Sequence, residues 1–313
     1  MPQRYSLVHV SDPHLSVLFS REHARSFRSL LRFILERGFD HLVISGDIVS
    51  TGDEADFVLA RETLDKHGLL DGQTLTVVPG NHDIFGGPHR AVDILSFPQH
   101  IRTRNLELFS SAFAESFQGA FRLSDRSLYP FVKVAGPLLL IGINSIPPWS
   151  LWSNPLGTNG ILDDDHFEAL QSLVGSPLLA SRIVVAVLHH HFNNAIADDI
   201  SQSLWHRIES RTMRMKGRRK VLKLFADLGV RFVLHGHIHR NEVYEREGIT
   251  MANGAGAVCD DTVSFLKFNE LLFSYGYASL TRHVLPIPTS RPAPRKRYSA
   301  IKRQSVELVA FPV

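Results

Sequence analysis

Cysteine is almost absent from this chain of 313 residues, in which Cys259 is the one example. A single cysteine cannot close an internal disulfide, so the fold must depend on a buried apolar core. The 44% content of hydrophobic residues is sufficient for one large domain or two smaller ones. We interpret Cys259 as a small buried residue rather than as a metal ligand.

Long apolar runs are also missing. No stretch approaches the roughly 18 residues of a membrane-spanning helix. The first residues, from Met1 to Tyr5, lack the apolar core of a secretion signal. These two absences predict a cytoplasmic protein, with attachment to a membrane surface as the remaining possibility for contact with lipid. Internal repeats are absent as well.

Basic residues are unevenly distributed, although the net charge is only +3. One excess lies in residues 207–223 and a second extends from Arg291 to Arg303. Such runs favour anionic partners. We interpret the first run as a solvated helix face, with a basic lid that attracts a phosphorylated substrate as the alternative. The second run is interpreted as a tail, with docking to an anionic membrane or to nucleic acid as the alternatives.

Polar residues are concentrated in short clusters that each follow an apolar run. The clusters are Asp12-Pro13-His14, Gly46-Asp47, Gly80-Asn81-His82-Asp83, His189-His190-His191 and Gly236-His237-Ile238-His239. Their spacing, with amphipathic segments between apolar runs, predicts β-α-β units and parallel strands covered by helices. Because the C-terminal ends of parallel strands open into one crevice, we expect the clusters to converge there.

The apolar and amphipathic segments predict individual elements. Strands are predicted at residues 6–10, 41–45, 74–78, 131–134, 138–143, 183–188 and 231–234, and helices at 25–37, 54–67, 164–174 and 218–228. Antiparallel strands should follow between Tyr244 and Leu285. We predict one catalytic domain over residues 1–285, in which 84–130 form an excursion over the site. Residues 286–313 are predicted as a basic tail rich in Pro and Arg.

The chemistry of the clusters predicts a metal site. Carboxylate, amide and imidazole groups are combined there without a thiolate, a mixture that suits Mn, Fe, Zn or Ni and is too rich in nitrogen for Ca²⁺. Two ions can approach within about 4 Å only when a carboxylate lies between them, and Asp47 is the candidate for that bridge. Paired divalent ions are a means of cleaving phosphate esters.

The five clusters, in this order, resemble the calcineurin-like metallophosphoesterases, whose pattern is D-x-H, GD, GNH followed by an acid, H, and GHxH. The resemblance covers the chain from Asp12 to His239. It implies an α/β fold, a four-layer α-β-β-α sandwich of two mixed sheets, with a dinuclear centre that holds Mn or Fe, or else Zn or Ni. Carried over position by position, it assigns one metal to Asp12, His14, Asp47 and His239, and the other to Asp47, Asn81, His189 and His237.

The resemblance also implies a mechanism. A hydroxide that bridges the two ions would attack phosphorus, while His82 donates a proton to the departing oxygen. The ring of His82 would be held by Asp83 or by a nearby carbonyl, and these two residues are the predicted catalytic pair. His190 and His191 could either line the rim of the substrate site or lie behind the ligands.

Within the family, residues 45–49 and 78–83 are most similar to the bacterial class III cyclic-nucleotide and glycerophosphodiester phosphodiesterases. Two departures should reshape the substrate rim. His191 and Phe192 replace the two prolines that usually follow the paired histidines, and residues 147–160 form a longer and more aromatic segment. We therefore expect a phosphodiesterase that acts on a small organic phosphate.

Three alternatives remain open. The basic, amphipathic stretches without a spanning helix are compatible with a lipid-linked pyrophosphatase at the membrane periphery. A metal-dependent nuclease would need further domains, for which the chain has little room, so nucleic acid is not the expected partner. A metal-free binding module is opposed by the presence of every ligand type. The sequence leaves the oligomeric state open.

Overall fold

The computed structural model describes most of the chain. The described residues are 4–19, 21–87, 99–150, 154, 157–193, 215–240, 242–254, 256–258, 265–274, 277–286 and 304–306, with the backbone alone for 99–102 and 304–306. Within them, two mixed β-sheets pack against each other and helices cover their outer faces. The predicted four-layer α/β sandwich is therefore confirmed.

The first sheet has the strand order β13-β12-β11-β1-β2-β3 in the described part of the chain. Its strands are β1 (Tyr5–Val10), β2 (His41–Ile44), β3 (Leu75–Val77), β11 (Phe265–Ser274), β12 (Tyr277–Pro286) and β13 (Gln304–Val306). β1, β2 and β3 are parallel, whereas β11 is antiparallel to β1 and to β12. The parallel strands therefore deliver three of the polar clusters to the same end of this sheet.

The second sheet has the order β4-β5-β6-β7-β8-β10-β9. Its strands are β4 (Ala120–Arg122), β5 (Phe131–Ala135), β6 (Leu138–Gly142), β7 (Ile183–Val187), β8 (Val230–His235), β9 (Val243–Arg246) and β10 (Ile249–Asn253). β6, β7, β8 and β10 run parallel, and β5 and β6 form the predicted hairpin. The histidine clusters follow β7 and β8 directly.

Helices connect the strands. They are α1 (Arg21–Arg37), α2 (Glu54–Asp65), α3 (Asn81–Phe85), α4 (Gln99–Ala112), a 3-10 helix (Ala114–Phe117), α5 (Asp164–Gln171), α6 (Pro177–Ala180) and α7 (Arg218–Asp227). α1 and α7 are amphipathic, as their apolar spacing predicts. α1 buries Phe27, Leu30 and Ile34 against the first sheet, and α7 buries Val221 and Phe225 against the second.

Three apolar layers hold the sandwich together. The central layer lies between the sheets and contains Leu7, Val43, Leu140, Val185 and Leu234. The two outer layers lie between each sheet and its own helices. β1, β2 and β6 are buried along their whole length because both faces are covered, which explains their continuous apolar sequences.

The segment predicted as an excursion, residues 84–130, contains α4, the 3-10 helix and the edge strand β4 in its described part. Phe109 and Phe113 are fully buried and make edge-on ring contacts with Phe57 of α2. This part of the segment therefore completes the core of the first sheet. Cys259 and the basic run from Arg291 to Arg303 lie outside the described residues. No described helix combines the length and the apolar character needed to span a bilayer.

Candidate metal centre

The polar clusters after β1, β2, β3, β7 and β8 meet at one site, to which both sheets contribute. The backbone there is unusual. Six non-glycine residues in the described ranges have positive φ, and five of them are predicted ligands, namely Asp12, His14, Asp47, His237 and His239, with φ between 45° and 79°. Such conformations are costly for residues with a Cβ, and they cluster where a function requires them. They turn these five side chains out of the strand direction.

One group of donors consists of Asp12, His14 and His239. The Nε2 atoms of His14 and His239 lie 3.0 Å apart, and the Nε2 of His239 lies 3.6 Å from Oδ1 of Asp12. Asp12 and His14 are buried, whereas the side chain of His239 is 43% exposed. This group therefore forms the solvent-facing side of the site.

A second group consists of Asp47, Asn81, His189 and His237, all of them buried. The Nε2 atom of His189 lies in the middle of this group. This atom lies 3.3 Å from Oδ2 of Asp47, 3.2 Å from Oδ1 of Asn81 and 3.0 Å from Nδ1 of His237. The donors of this group thus come from both sheets.

Asp47 connects the two groups. Its Oδ2 atom lies 3.8 Å from Nε2 of His14 and 3.3 Å from Nε2 of His189, while its Oδ1 accepts a hydrogen bond from the backbone N–H of His82 at 2.8 Å. Burial would raise the pKa of Asp47, but His189 and His82 outweigh it and hold that pKa well below its usual value. The carboxylate of Asp47 therefore lies between the two donor groups.

The donors fit a pair of cations. Burial, reinforced by the charge of His82, lowers the pKa of His14 well below its usual value, so that its imidazole is neutral and offers a lone pair. Around His189 the balance is reversed: burial alone would lower its pKa, but Asp47 raises it to about 9. The buried interior of the site therefore favours positive charge. Neutral imidazole, amide and carboxylate donors that converge without intervening apolar groups are suited to transition-metal ions.

Backbone groups orient several donors from behind. The Nδ1 of His189 lies 2.9 Å from the carbonyl oxygen of Ser45, which can only accept, so Nδ1 carries the proton and Nε2 is left to bind a metal. Both carboxylate oxygens of Asp12 accept the backbone N–H of His237 at 3.1 Å. The ligand loops of the two sheets are therefore directly hydrogen-bonded to each other.

The two predicted catalytic residues have different surroundings. Nδ1 of His82 donates to the carbonyl of Ser50 at 3.1 Å, which leaves Nε2 without that constraint. Asp83 is fully buried and accepts the backbone N–H groups of Val49 and Gly80, each at 2.8 Å. Burial, and then the charge of Asp47, raise the pKa of Asp83 to about 7. Of the two partners predicted for the His82 ring, the structure therefore shows the carbonyl.

Of the two positions expected for His190 and His191, the structure shows the one behind the ligands rather than an exposed rim. Both side chains are completely buried. Nδ1 of His190 lies 2.8 Å from the hydroxyl of Ser145, and its ring packs 4.7 Å from the ring of His237. The ring of His191 stacks on the ring of His237 with the centroids 6.2 Å apart, so both residues support His237 from behind.

A buried polar layer beneath the site was not predicted. Nε2 of His9 in β1 lies 2.8 Å from the hydroxyl of Ser45, and Nδ2 of Asn269 donates to Nδ1 of His9 at 3.3 Å and to the carbonyl of Asn253 at 2.8 Å. These residues are fully buried and join β1 and β11 to β10 of the other sheet. In the sequence, the feature that could have indicated this layer is His9, which lies between two valines of β1.

A two-sheet sandwich with two donor groups that share one carboxylate is the arrangement of a dinuclear metallohydrolase. Comparison with protein families agrees: the family of calcineurin-like phosphoesterases matches residues 5–241. The chain belongs to this family and is a metal-dependent phosphoesterase. None of the curated proteins with which the chain was compared matches it.

Comparison with solved structures finds matches at low sequence identity. A dimetal phosphatase from Danio rerio superposes with a TM-score of 0.62 at 12% identity, over 91% of this chain and 99% of that one. The phosphopantetheinyl hydrolase of Mycobacterium tuberculosis superposes with a TM-score of 0.49 at 13% identity, over 82% of this chain and 92% of that one. At 12% identity, the likeness to the Danio rerio protein is one of fold alone.

Proposed function

We propose that this phosphoesterase is a phosphodiesterase that acts on a small organic phosphate, with cyclic nucleotides and glycerophosphodiesters as the first candidates. The observation that carries the proposal is the position of Asp47, which both donor groups share and to which the backbone of His82 is tied. The choice of diesters is supported by the likeness of residues 45–49 and 78–83 to bacterial phosphodiesterases of this family.

Each donor group would hold one divalent ion, with Mn or Fe as the first candidates. One group is Asp12, His14, Asp47 and His239, and the other is Asp47, Asn81, His189 and His237. When bound, the paired ions supply an activated water and neutralise the charge on the phosphoryl oxygens. Asp47 keeps the two groups at a fixed separation, and its burial protects them from competition with bulk water.

His82 would supply the proton for the leaving oxygen. Its ring packs edge-on against His14, with the centroids 4.6 Å apart, so it stands next to the centre. The Ser50 carbonyl holds Nδ1–H, and a second proton on Nε2 would therefore face the substrate. Asp83 would act as a positioning residue, because its carboxylate holds the loop amides of Val49 and Gly80 in place.

A substrate panel with Mn²⁺ tests the proposal. It should contain bis(p-nitrophenyl) phosphate, cyclic nucleotides, glycerophosphodiesters, p-nitrophenyl phosphate and lipid pyrophosphates. We expect the diesters to be hydrolysed fastest, with about two ions bound per chain by metal analysis. Asp47→Asn should reduce both turnover and metal content. Hydrolysis confined to monoesters or pyrophosphates, or at most one ion per chain in excess Mn²⁺, would contradict the proposal.

A further inference from the structure

The loop between β1 and α1 carries three consecutive exposed apolar residues. Val17, Leu18 and Phe19 are 40%, 77% and 57% exposed. Single exposed apolar side chains are common on protein surfaces, but three in succession form a contiguous apolar patch, a feature typical of surfaces that contact lipid or another protein. The patch begins three residues after His14, which belongs to the metal centre.

The helix that follows this loop has a stripe of arginines on its exposed face. Arg21, Arg25, Arg28 and Arg32 are spaced four, three and four residues apart, which places them on one side of α1. In the described part of the chain none of them forms an ion pair, and the Nε atoms of Arg28 and Arg32 donate to carbonyls of the same helix. Glu22 is the acidic residue of the first turn.

The loop is held in place by hydrogen bonds. The backbone N–H of Val17 donates to Asp56 of α2 at 2.8 Å, and those of Leu18 and Phe19 both reach the Ser16 hydroxyl at 3.2 Å. Nδ1 of His23, in the first turn of α1, lies 3.1 Å from the carbonyl of His14. The apolar patch, the start of the arginine stripe and the metal centre are therefore neighbours with a fixed geometry.

We propose that the apolar patch 17–19 and the arginine stripe of α1 dock the protein on an anionic lipid surface. Apolar side chains would enter the boundary between headgroups and acyl chains, while guanidinium groups meet lipid phosphates bidentately. Docking in this way brings the metal centre to the lipid surface. This interaction is independent of which phosphoester the enzyme cleaves.

A lipid surface accounts for both the apolar patch 17–19 and the arginine stripe of α1. The phosphate backbone of a nucleic acid would satisfy the arginines, but it would leave the exposed side chains of Leu18 and Phe19 in water. An apolar protein groove would cover those side chains but not neutralise four arginines. Anionic lipid supplies negative charge and an apolar layer at the depth that both groups require.

Vesicle co-sedimentation of the full-length protein tests the proposal. Vesicles of phosphatidylcholine with about 30% phosphatidylglycerol should bind the protein, and pure phosphatidylcholine vesicles should bind it much less. Arg25→Gln with Arg28→Gln should weaken binding by roughly 25-fold, about fivefold for each charge removed. Leu18→Ser with Phe19→Ser should reduce binding at high salt, where electrostatic attraction is screened.

A matched control is available on β4, where Phe121 and Arg122 are also exposed. Phe121→Ser with Arg122→Gln removes one apolar side chain and one charge elsewhere and should leave vesicle binding unchanged. Thermal melting of each variant shows that it is folded. Because sedimentation requires no turnover, its result does not depend on the outcome of the substrate panel.

Three results would overturn the proposal. The first is binding by both test variants that equals that of the wild type. The second is binding that survives in both variants and disappears on deletion of residues 291–313, which would make the tail the anchor. The third is retention of a single-stranded oligonucleotide without any retention of anionic vesicles.

Discussion

Gly46 and His189 are packed so closely that no side chain fits between them. A Cβ atom built on Gly46 would lie 2.6 Å from Nδ1 of His189, the atom that donates to the Ser45 carbonyl, and 2.7 Å from the backbone nitrogen of Gly80. The φ of Gly46 is +98°. The turn after β2 is therefore the support against which the ring of His189 is positioned.

Gly46→Ala should consequently displace the His189 ring. We expect loss of the second ion, and with it most of the turnover, because Nε2 of His189 then no longer faces Asp47 and Asn81. Gly38→Ala is the matched control: its φ is +73°, and nothing lies within 4 Å of the added Cβ. That variant should lose about 1 kcal/mol of stability through backbone strain and retain its metal. Metal analysis of both proteins is the measurement, and full metal content in Gly46→Ala would refute this account.

Asn81→Ala and His82→Ala should separate metal binding from proton transfer. Asn81 offers its side-chain oxygen to the second donor group, so its removal should weaken metal binding as well as turnover. His82 contacts Asp47 through its backbone, which remains in the variant. His82→Ala should therefore keep its metal while turnover falls by about 10²–10⁴-fold. Equal loss of metal in the two variants would show that the assigned roles are wrong.

Asp83→Asn should destabilise the loops under the centre. The carboxylate accepts N–H groups on both oxygens, and an amide would turn one NH2 group against a backbone donor. We expect a loss of about 1–3 kcal/mol in the free energy of unfolding, together with weaker metal binding. Asp71→Asn is the control, because Asp71 also accepts two backbone N–H groups but is partly exposed and distant from the ligands. Denaturant titration with and without Mn²⁺ distinguishes the two.

Lys133 should make stability depend on pH. Its ammonium group is buried and donates to the carbonyls of Leu75 and Ser116, and burial lowers its pKa to about 8. Between that pKa and the value of about 10.4 in the unfolded chain, the unfolded state binds more protons, so this residue's contribution to stability rises with pH. The stability of the wild type relative to Lys133→Met should increase by about 1.5 kcal/mol between about pH 8 and 9.5. A flat or falling difference in denaturant titrations would contradict this.

The sequence was sufficient to predict the strands that carry the ligands and to predict that the ends of these strands converge. This succeeded because both faces of β1, β2 and β7 are covered, which produces continuous apolar runs that end abruptly at polar residues. The helices α1 and α7 were predictable for a similar reason, since each buries one broad apolar face. Their boundaries differ from the prediction by only a few residues.

Other features of the structure could not be predicted from the sequence pattern. The helix α4 buries Asn105 and Phe109, with the buried Phe113 directly after its end, and the polar Asn105 weakens the helical pattern. The left-handed conformations of residues such as Asp12 and His237 depend on contacts between loops that are remote in sequence. The hydrogen bond from Asn269 to His9 likewise joins residues 260 positions apart, a pairing that periodicity cannot reveal.

The division of the donors between the two sheets has a consequence for how the enzyme matures. A nascent chain that has folded only its first three strands presents Asp12, His14, Asp47 and Asn81, which are three of the four residues of one donor group and two of the four of the other. Neither donor group is complete until β7 and β8 have docked and brought His189, His237 and His239 into place. Full metal affinity would therefore require that the two sheets have come together.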